Sequence, residues 1–380
     1  MRKITDNIRT LFGLAGLVVL VASCSQDGAE RPRVEVELMP CTSSYLFVEP
    51  VATRAWTPPA DYHLYSELNG MFDSQANLVD NTIGIYFTQD AETPEGGTFF
   101  KSSDDKWRST VDISTGTYYL YGYIPHRSGI TSSISPNSSY SNGAVLTLTG
   151  MPTVTNNDFC VVVGAKEGTD EETVPGLTTG QFAYEVTSAD DNYIFLLFDH
   201  IYSALRIRIA VDEDYDDQRT VKLKALRLKA YNGSSAFKSK TSATITLAKT
   251  DDGSSPITSI TFTPDDTSGD VEAPLFQNSS GLTLTTDFTD FRGCFIPNST
   301  GGSITDLVLE STYDVYDKSG TLTRADCTSE NKLSLSTIFG AAASPMARGK
   351  MYTVSLLVKP SYLYRLSDTE LDNPSFTITE

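Results

Sequence analysis

From Thr82 to the C-terminus the chain reads as one short β-strand after another, and this recurrence restricts the fold more than any other feature. Runs rich in Val, Ile, Thr, Tyr and Phe lie at 82–88, 107–113, 117–124, 144–148, 159–164 and 193–198. Clusters of Gly, Pro, Asn, Asp and Ser, such as Pro94-Glu95-Gly96-Gly97 and Ser135-Pro136-Asn137-Ser138, separate them. The second half continues in the same style at 204–211, 221–231, 243–247, 257–263, 294–296, 307–312 and 351–358. Only 333–343 has the look of a short helix. The spacing predicts an all-β protein of sandwich architecture. A chain of 380 residues exceeds what one compact sandwich uses, so two domains are expected, 24–195 and 196–380.

The N-terminus carries an export signal. Arg2, Lys3 and Arg9 precede an apolar run from Leu11 to Val21, too short for a comfortable membrane-spanning helix. Val21-Ala22-Ser23-Cys24 resembles the lipobox of bacterial lipoproteins, in which the cysteine takes the lipid and becomes the mature N-terminus. Residues 1–23 are then the signal peptide. The chain from Cys24 on is expected to be anchored by acyl chains such as palmitate rather than to span the membrane. Residues 24–33 are polar, with Gly and Pro, and read as a flexible tether.

Two strands follow the tether. Val34-Glu35-Val36-Glu37-Leu38 alternates strictly, the pattern of a half-buried strand. Tyr45-Leu46-Phe47-Val48 is apolar at every position, which predicts a strand buried on both faces inside the first domain's sandwich.

The formal net charge is −19, and the signal segment is itself positive, so the mature chain is more acidic still. Such a chain repels nucleic acid and anionic headgroups, which excludes both as partners. Of five cysteines, Cys24 is assigned to lipid. Cys41, Cys160, Cys294 and Cys327 allow three pairings or buried free thiols. His63, His126 and His200 are too scattered for a Cys/His metal centre.

No catalytic motif is legible: there is no nucleophile elbow, zinc-protease helix, phosphate loop or dinucleotide fingerprint. No catalytic residue, metal ligand or cofactor is therefore assigned. The acidic run 212–217 offers carboxylates at the first, third and fifth positions of a calcium loop. It has Asp217 where the turn needs glycine and Leu223 where the loop needs a bidentate glutamate, and so reads as a solvated hairpin tip. His200 beside Asp199 reads as a packed, hydrogen-bonded residue at a strand boundary. Tyr119, Tyr121 and Tyr123 share one face of a strand. They could form a ladder that stacks on sugar rings, or amphipathic residues at a core rim.

Several of these segments, taken in order, resemble the fimbrillin-like family, the type V pilins and pilin-like lipoproteins of anaerobic Gram-negative bacteria. After the lipobox come Val51-Ala52-Thr53-Arg54-Ala55, then Thr82-Ile83-Gly84-Ile85-Tyr86. Phe100-Lys101 and Lys106-Trp107 lead to the aromatic strand Gly116-Thr117-Tyr118-Tyr119-Leu120-Tyr121-Gly122-Tyr123-Ile124-Pro125. Phe198-Asp199-His200-Ile201-Tyr202 is similar to the segment that opens the family's second domain, and Gly349-Lys350-Met351-Tyr352-Thr353-Val354 to its closing strand.

The resemblance implies two tandem transthyretin-like (Greek-key) β-sandwich domains and a lipid-anchored protein of the outer membrane, cell surface or fimbrium. It implies a structural pilus subunit or adhesin rather than an enzyme. In the family's true pilins a trypsin-like protease cuts after an arginine, the first strand leaves, and a strand of the next subunit fills the groove. Arg54 and Ala55 occupy the matching position, which makes 34–54 the removable strand region. The C-terminal segment with Phe376 and Ile378 is a candidate donor. Implied partners are other pilin subunits, the outer membrane through the lipid anchor, and a host glycan or protein receptor. A surface glycan-binding lipoprotein of a polysaccharide-uptake system is the alternative.

Overall fold

The structure, a computed structural model, describes residues 36–43, 46–48, 62–64, 82–101, 107–109, 115–152, 154–155, 159–168, 178–186, 192–230, 240–264, 273–295, 306–334, 338, 348–360 and 374–379. These residues are almost entirely strand. The first ten are β1 (Val36–Ser43), β2 (Leu46–Val48), β3 (Tyr62–Leu64), β4 (Thr82–Thr88), β5 (Glu95–Lys101), β6 (Trp107–Ser109), β7 (Gly116–Ile124), β8 (Thr131–Asn137), β9 (Ser139–Pro152) and β10 (Val154–Thr155). Next come β11 (Cys160–Gly168), β12 (Ala183–Val186), β13 (Asn192–His200), β14 (Ser203–Val211), the single helical turn α1 (Glu213–Asp216), β15 (Arg219–Ala230), β16 (Lys240–Ala248) and β17 (Ile257–Pro264). The last are β18 (Ala273–Thr283), β19 (Thr289–Phe295), β20 (Asp306–Asp317), β21 (Leu322–Ser334), β22 (Lys350–Pro360) and β23 (Pro374–Thr379).

They form four sheets. Sheet I runs β11-β13-β1-β6-β5-β4-β7-β12, with β3 added to β1. It curls, so that β7 also pairs with β11 through Cys160↔Ile124 and Val161↔Tyr123. Sheet II is β17-β16-β9-β8, sheet III is β10-β19-β14-β22-β2 with β23 on β22, and sheet IV is β18-β15-β20-β21. The all-β expectation holds.

The period-two pattern places the cores. In β14 (Ser203–Val211), Leu205, Ile207, Ile209 and Val211 point one way and meet Val221, Leu223, Leu226 and Leu228 of sheet IV. This is the aliphatic core of the second pair of sheets. In the first pair, Leu146, Leu148, Ile245 and Leu247 of sheet II cover Tyr121, Tyr123, Phe195 and Leu197 of sheet I. Ile83, Ile85, Phe99, Leu120, Val162 and Phe198 form a separate cluster to which, among the described residues, only sheet I contributes. The strand of continuous apolar residues, Ile194 to Phe198, is buried on both faces because it belongs to both clusters.

The two pairs of sheets are interleaved along the chain. β16 pairs with β9 from Lys240↔Pro152 to Ala248↔Gly143, so a hairpin from beyond residue 196 completes sheet II. In the other direction β10 pairs with β19 through Val154↔Phe295 and Thr155↔Cys294. The expected boundary at 195/196 falls inside β13, ahead of the passage at 201–202 into β14 of sheet III, and strands cross it both ways.

The acidic run is a turn of helix rather than a hairpin tip. Asp212 caps α1, its carboxylate accepting the Asp214 N–H at 3.2 Å, and Glu213 and Asp214 sit at the N-terminal end where the helix dipole favours them. Tyr215 turns inward and is fully buried, which anchors the turn between β14 and β15. Among the described residues no group of three or more His, Cys, Asp or Glu side chains converges on a metal site. Of 333–343, Leu333 and Ser334 end β21, and Ile338 is helical and buried.

Candidate functional site

The candidate site is the seat of the N-terminal segment. β1 lies between β13, to which it is parallel from Val36↔Asn192 to Thr42↔Phe198, and β6, to which it is antiparallel through Glu37↔Arg108 and Leu38↔Trp107. It also pairs with β3 from Cys41↔Leu64 to Ser43↔Tyr62. β1 is thus an interior strand, and it is the link that joins β13 to β6 in the curled sheet.

The segment that follows corrects the sequence expectation. Leu46–Val48 does not enter the first pair of sheets. As β2 it pairs in parallel with the start of β22 in sheet III, through Leu46↔Lys350, Phe47↔Met351 and Val48↔Tyr352. The reason is directional. β1 follows β13, β13 leads into β14 across the junction, and β22 is parallel to β14, so a chain that keeps its heading arrives beside β22.

The other terminus uses the same strand. β23 pairs antiparallel with the far end of β22, from Ser355↔Thr379 to Pro360↔Pro374. Phe376 of β23 is buried in the second core, its ring 5.4 Å from that of Tyr313, and its carbonyl accepts a hydrogen bond from Asn331 Nδ2. Ile378 shares that face and is partly buried against the same core. The C-terminal segment singled out in the sequence therefore occupies a seat in its own chain.

A polar cluster pins the junction between the two pairs of sheets. Arg348, just ahead of β22, donates from Nη1 to Asp199 Oδ2 at 2.8 Å and to the His200 carbonyl at 3.1 Å. Its Nη2 donates to Ser255 Oγ at 3.3 Å, which ties in the β16–β17 turn. Gly349 N–H donates to the Tyr202 carbonyl, Ile201 N–H to the Phe159 carbonyl, and the Tyr202 hydroxyl to the Pro152 carbonyl. His200 is fully buried with Nδ1 3.3 Å from Cys160 Sγ, its cross-strand partner. Asp199 turns to Arg348 and to the His200 backbone N–H, so the two neighbours are built into the junction as packed, hydrogen-bonded residues. Sequence reasoning missed Arg348, which lies 149 residues from its partner and carries no local signal.

The tyrosine strand is interior. Tyr121 and Tyr123 are fully buried beneath sheet II, while Tyr119 is partly buried. Tyr121 donates its hydroxyl to the Tyr140 carbonyl at 2.5 Å, and its ring stacks 4.7 Å from Phe182. Tyr123 shares a 2.7 Å hydrogen bond with His126 Nδ1. Burial pushes the phenols of Tyr121 and Tyr123 above the ordinary tyrosine range. Between them, Gly122 has no room for a side chain, since a Cβ there would run into the Gly84 carbonyl across the strand pair.

Cys24, Arg54 and Ala55 lie outside the described residues. So does Tyr45. Cys160 and Cys327 are buried. No helix among the described residues is long and apolar enough to cross a membrane.

No family model matches the sequence, and no curated protein matches it. Solved structures do. A fimbrial protein from Bacteroides vulgatus is similar over 90% of this chain and 98% of its own, with 13% identity and a TM-score of 0.37. A "putative cell adhesion protein" from Bacteroides fragilis is similar over 90% of this chain and 97% of its own, with 12% identity and a TM-score of 0.38. A structure described as "putative polysaccharide binding proteins" from Bacteroides thetaiotaomicron is similar over 88% of this chain and 100% of its own, with 8% identity and a TM-score of 0.30.

Proposed function

We propose that this chain is a structural protein of the cell surface, a pilus subunit or pilin-like adhesin without catalytic activity. It is exported as a lipoprotein on Cys24, cut after Arg54 and assembled by strand exchange with other subunits. The observation that carries the reading is the seat of β1 and β2. One short segment ahead of Arg54 supplies an interior strand to sheet I and an edge strand to sheet III. Its departure would leave the facing edges of β13 and β6 unpaired, together with the first residues of β22. Unpaired backbone rows of that kind are costly to bury and ready to accept another strand.

The glycan-binding alternative, in the form that relied on the tyrosine strand, loses its platform, because Tyr121 and Tyr123 are covered by sheet II.

Low-dose trypsin on the purified protein tests the proposal. The first cut is expected after Arg54, and the trimmed protein, unlike the intact one, is expected to form oligomers or fibres. A trimmed protein that stays monomeric at an unchanged melting temperature would rule out strand exchange. For the anchor, Cys24→Ser is expected to abolish metabolic labelling by palmitate. Undiminished labelling of that variant would remove the lipoprotein assignment.

A further inference from the structure

Sheet II presents an outer face unlike the rest of this acidic molecule. Its four strands contain a single charged residue in sequence, Lys240 at the very start of β16, whereas one residue in five is charged across the whole chain. The outward positions carry hydroxyls instead. The registers place Ser133, Thr147, Thr244 and Thr261 in one row across all four strands. One step along, Ser135, Thr246 and Ser259 form a second row around Val145. Ser133, Ser135, Thr244, Ser259 and Thr261 are exposed.

β-propensity explains threonine in strands but not the missing charge. Sheet IV makes the contrast. There Lys224 meets Asp326 at 2.5 Å and Asp314 at 3.5 Å, and Lys229 meets Glu310 at 2.5 Å and Glu330 at 3.5 Å. That is how a solvent-facing sheet in this chain is ordinarily built.

We propose that the outer face of sheet II is a docking surface for a neutral polysaccharide. Hydroxyls spaced about 4.8 Å from strand to strand and about 6.8 Å along each strand form a regular field of groups that both donate and accept. Sugar hydroxyls have the same dual character, and the threonine methyls between them suit the C–H edges of sugar rings. The complementarity of charge fixes the class of ligand. A face without charge, on a chain of net charge −19, offers a polyanion no counter-ions and a polycation no attraction of its own. Each contact is weak, so retention depends on several sugar units or several copies binding together. The surface lies on the side of sheet II turned away from the first core, and it does not depend on strand exchange.

Affinity electrophoresis of the full chain through gels containing dextran, mannan or soluble starch tests this, with heparin as the anionic control. At least one neutral polysaccharide is expected to retard the protein, and heparin is not. The double variant Thr147→Lys/Thr244→Lys is expected to weaken retardation about tenfold or more. Thr147→Ala/Thr261→Ala, which removes hydroxyls without adding charge, serves if the lysine variant does not reach the parent's melting temperature. Glu310→Ala on sheet IV should leave retardation unchanged. No retardation by any neutral polysaccharide, or equal retardation of parent and both threonine variants, overturns the proposal. So does a parent dimer that the lysine variant abolishes, since a second copy would then be the occupant.

Discussion

The four sheets differ in how they draw on the chain. Sheet IV is local: all four of its strands come from Arg219–Ala230 through Leu322–Ser334, with β15 and β20 paired along most of their length. Sheets I, II and III are composite. They draw β1 and β2 from the N-terminal segment, β10 from before the crossover and β16–β17 from beyond it. The interiors differ as well. The first pair buries more hydroxylated rings that need partners, and the second is built mainly of Leu, Ile and Val around Tyr215, Tyr313 and Tyr352. A composite sheet depends on strands supplied from elsewhere, and that dependence is what a strand-exchange mechanism would use.

The largest expected effect tests this dependence directly. Removing residues 240–264, or ending the chain at residue 195, takes Ala243, Ile245 and Leu247 out of the first core and leaves β9 without its neighbour. Neither product should unfold cooperatively by circular dichroism. A well-dispersed NMR spectrum from residues 24–195 alone would break the comparison.

Alkali separates the two interiors next. Burial raises the phenols of Tyr121, Tyr123, Tyr140 and Tyr184, all in the first pair, and pushes Tyr313 of the second pair up to about 12. A phenol raised in the folded state contributes its full stability below about pH 10, its unfolded value, and loses it as the pH climbs through the folded value. Unfolding is therefore expected to set in above about pH 10 and to begin in the first pair. Phenolate absorbance followed alongside the two cores would show the order, and simultaneous loss would remove the distinction.

A single hydroxyl gives a smaller effect. Tyr121→Phe leaves the buried Tyr140 carbonyl without its donor and should cost about 1–3 kcal/mol in urea unfolding. An unchanged midpoint would mean that the hydroxylated interior is no more demanding than the aliphatic one. Smallest is the sheet IV ladder. Lys229→Met removes a partly exposed cation from Glu310 and Glu330 and should cost about 0.2–1 kcal/mol at low salt, less as salt rises. A salt-independent loss would show that packing of the lysine stem, not charge, was at stake.

Much of the strand content was legible because strand periodicity is local. Thr82–Thr88 appears in the structure with the limits read from the sequence, and β14 and β22 follow their apolar alternation closely. Local pattern could not say which strand pairs with which. Tyr45-Leu46-Phe47-Val48 was legible as apolar strand, yet its seat on β22 depends on the heading of β13 and β14, nearly 150 residues away in the chain. The tyrosines were open between sugar platform and core rim until sheet II, half of it from the second strand series, was seen to cover them.

By itself, then, the sequence determined the all-β class and the positions of most strands, and it carries no legible catalytic motif. These follow from side-chain period and short motifs, which are written within a few residues of one another. Only the tertiary structure decided that β1 stitches β13 to β6, that both termini share β22, and that Arg348 bridges Asp199, His200 and Ser255. Strand pairing satisfies backbone groups that every residue carries alike, so its choice of partner is set by which apolar faces must be covered and by the direction in which the chain arrives.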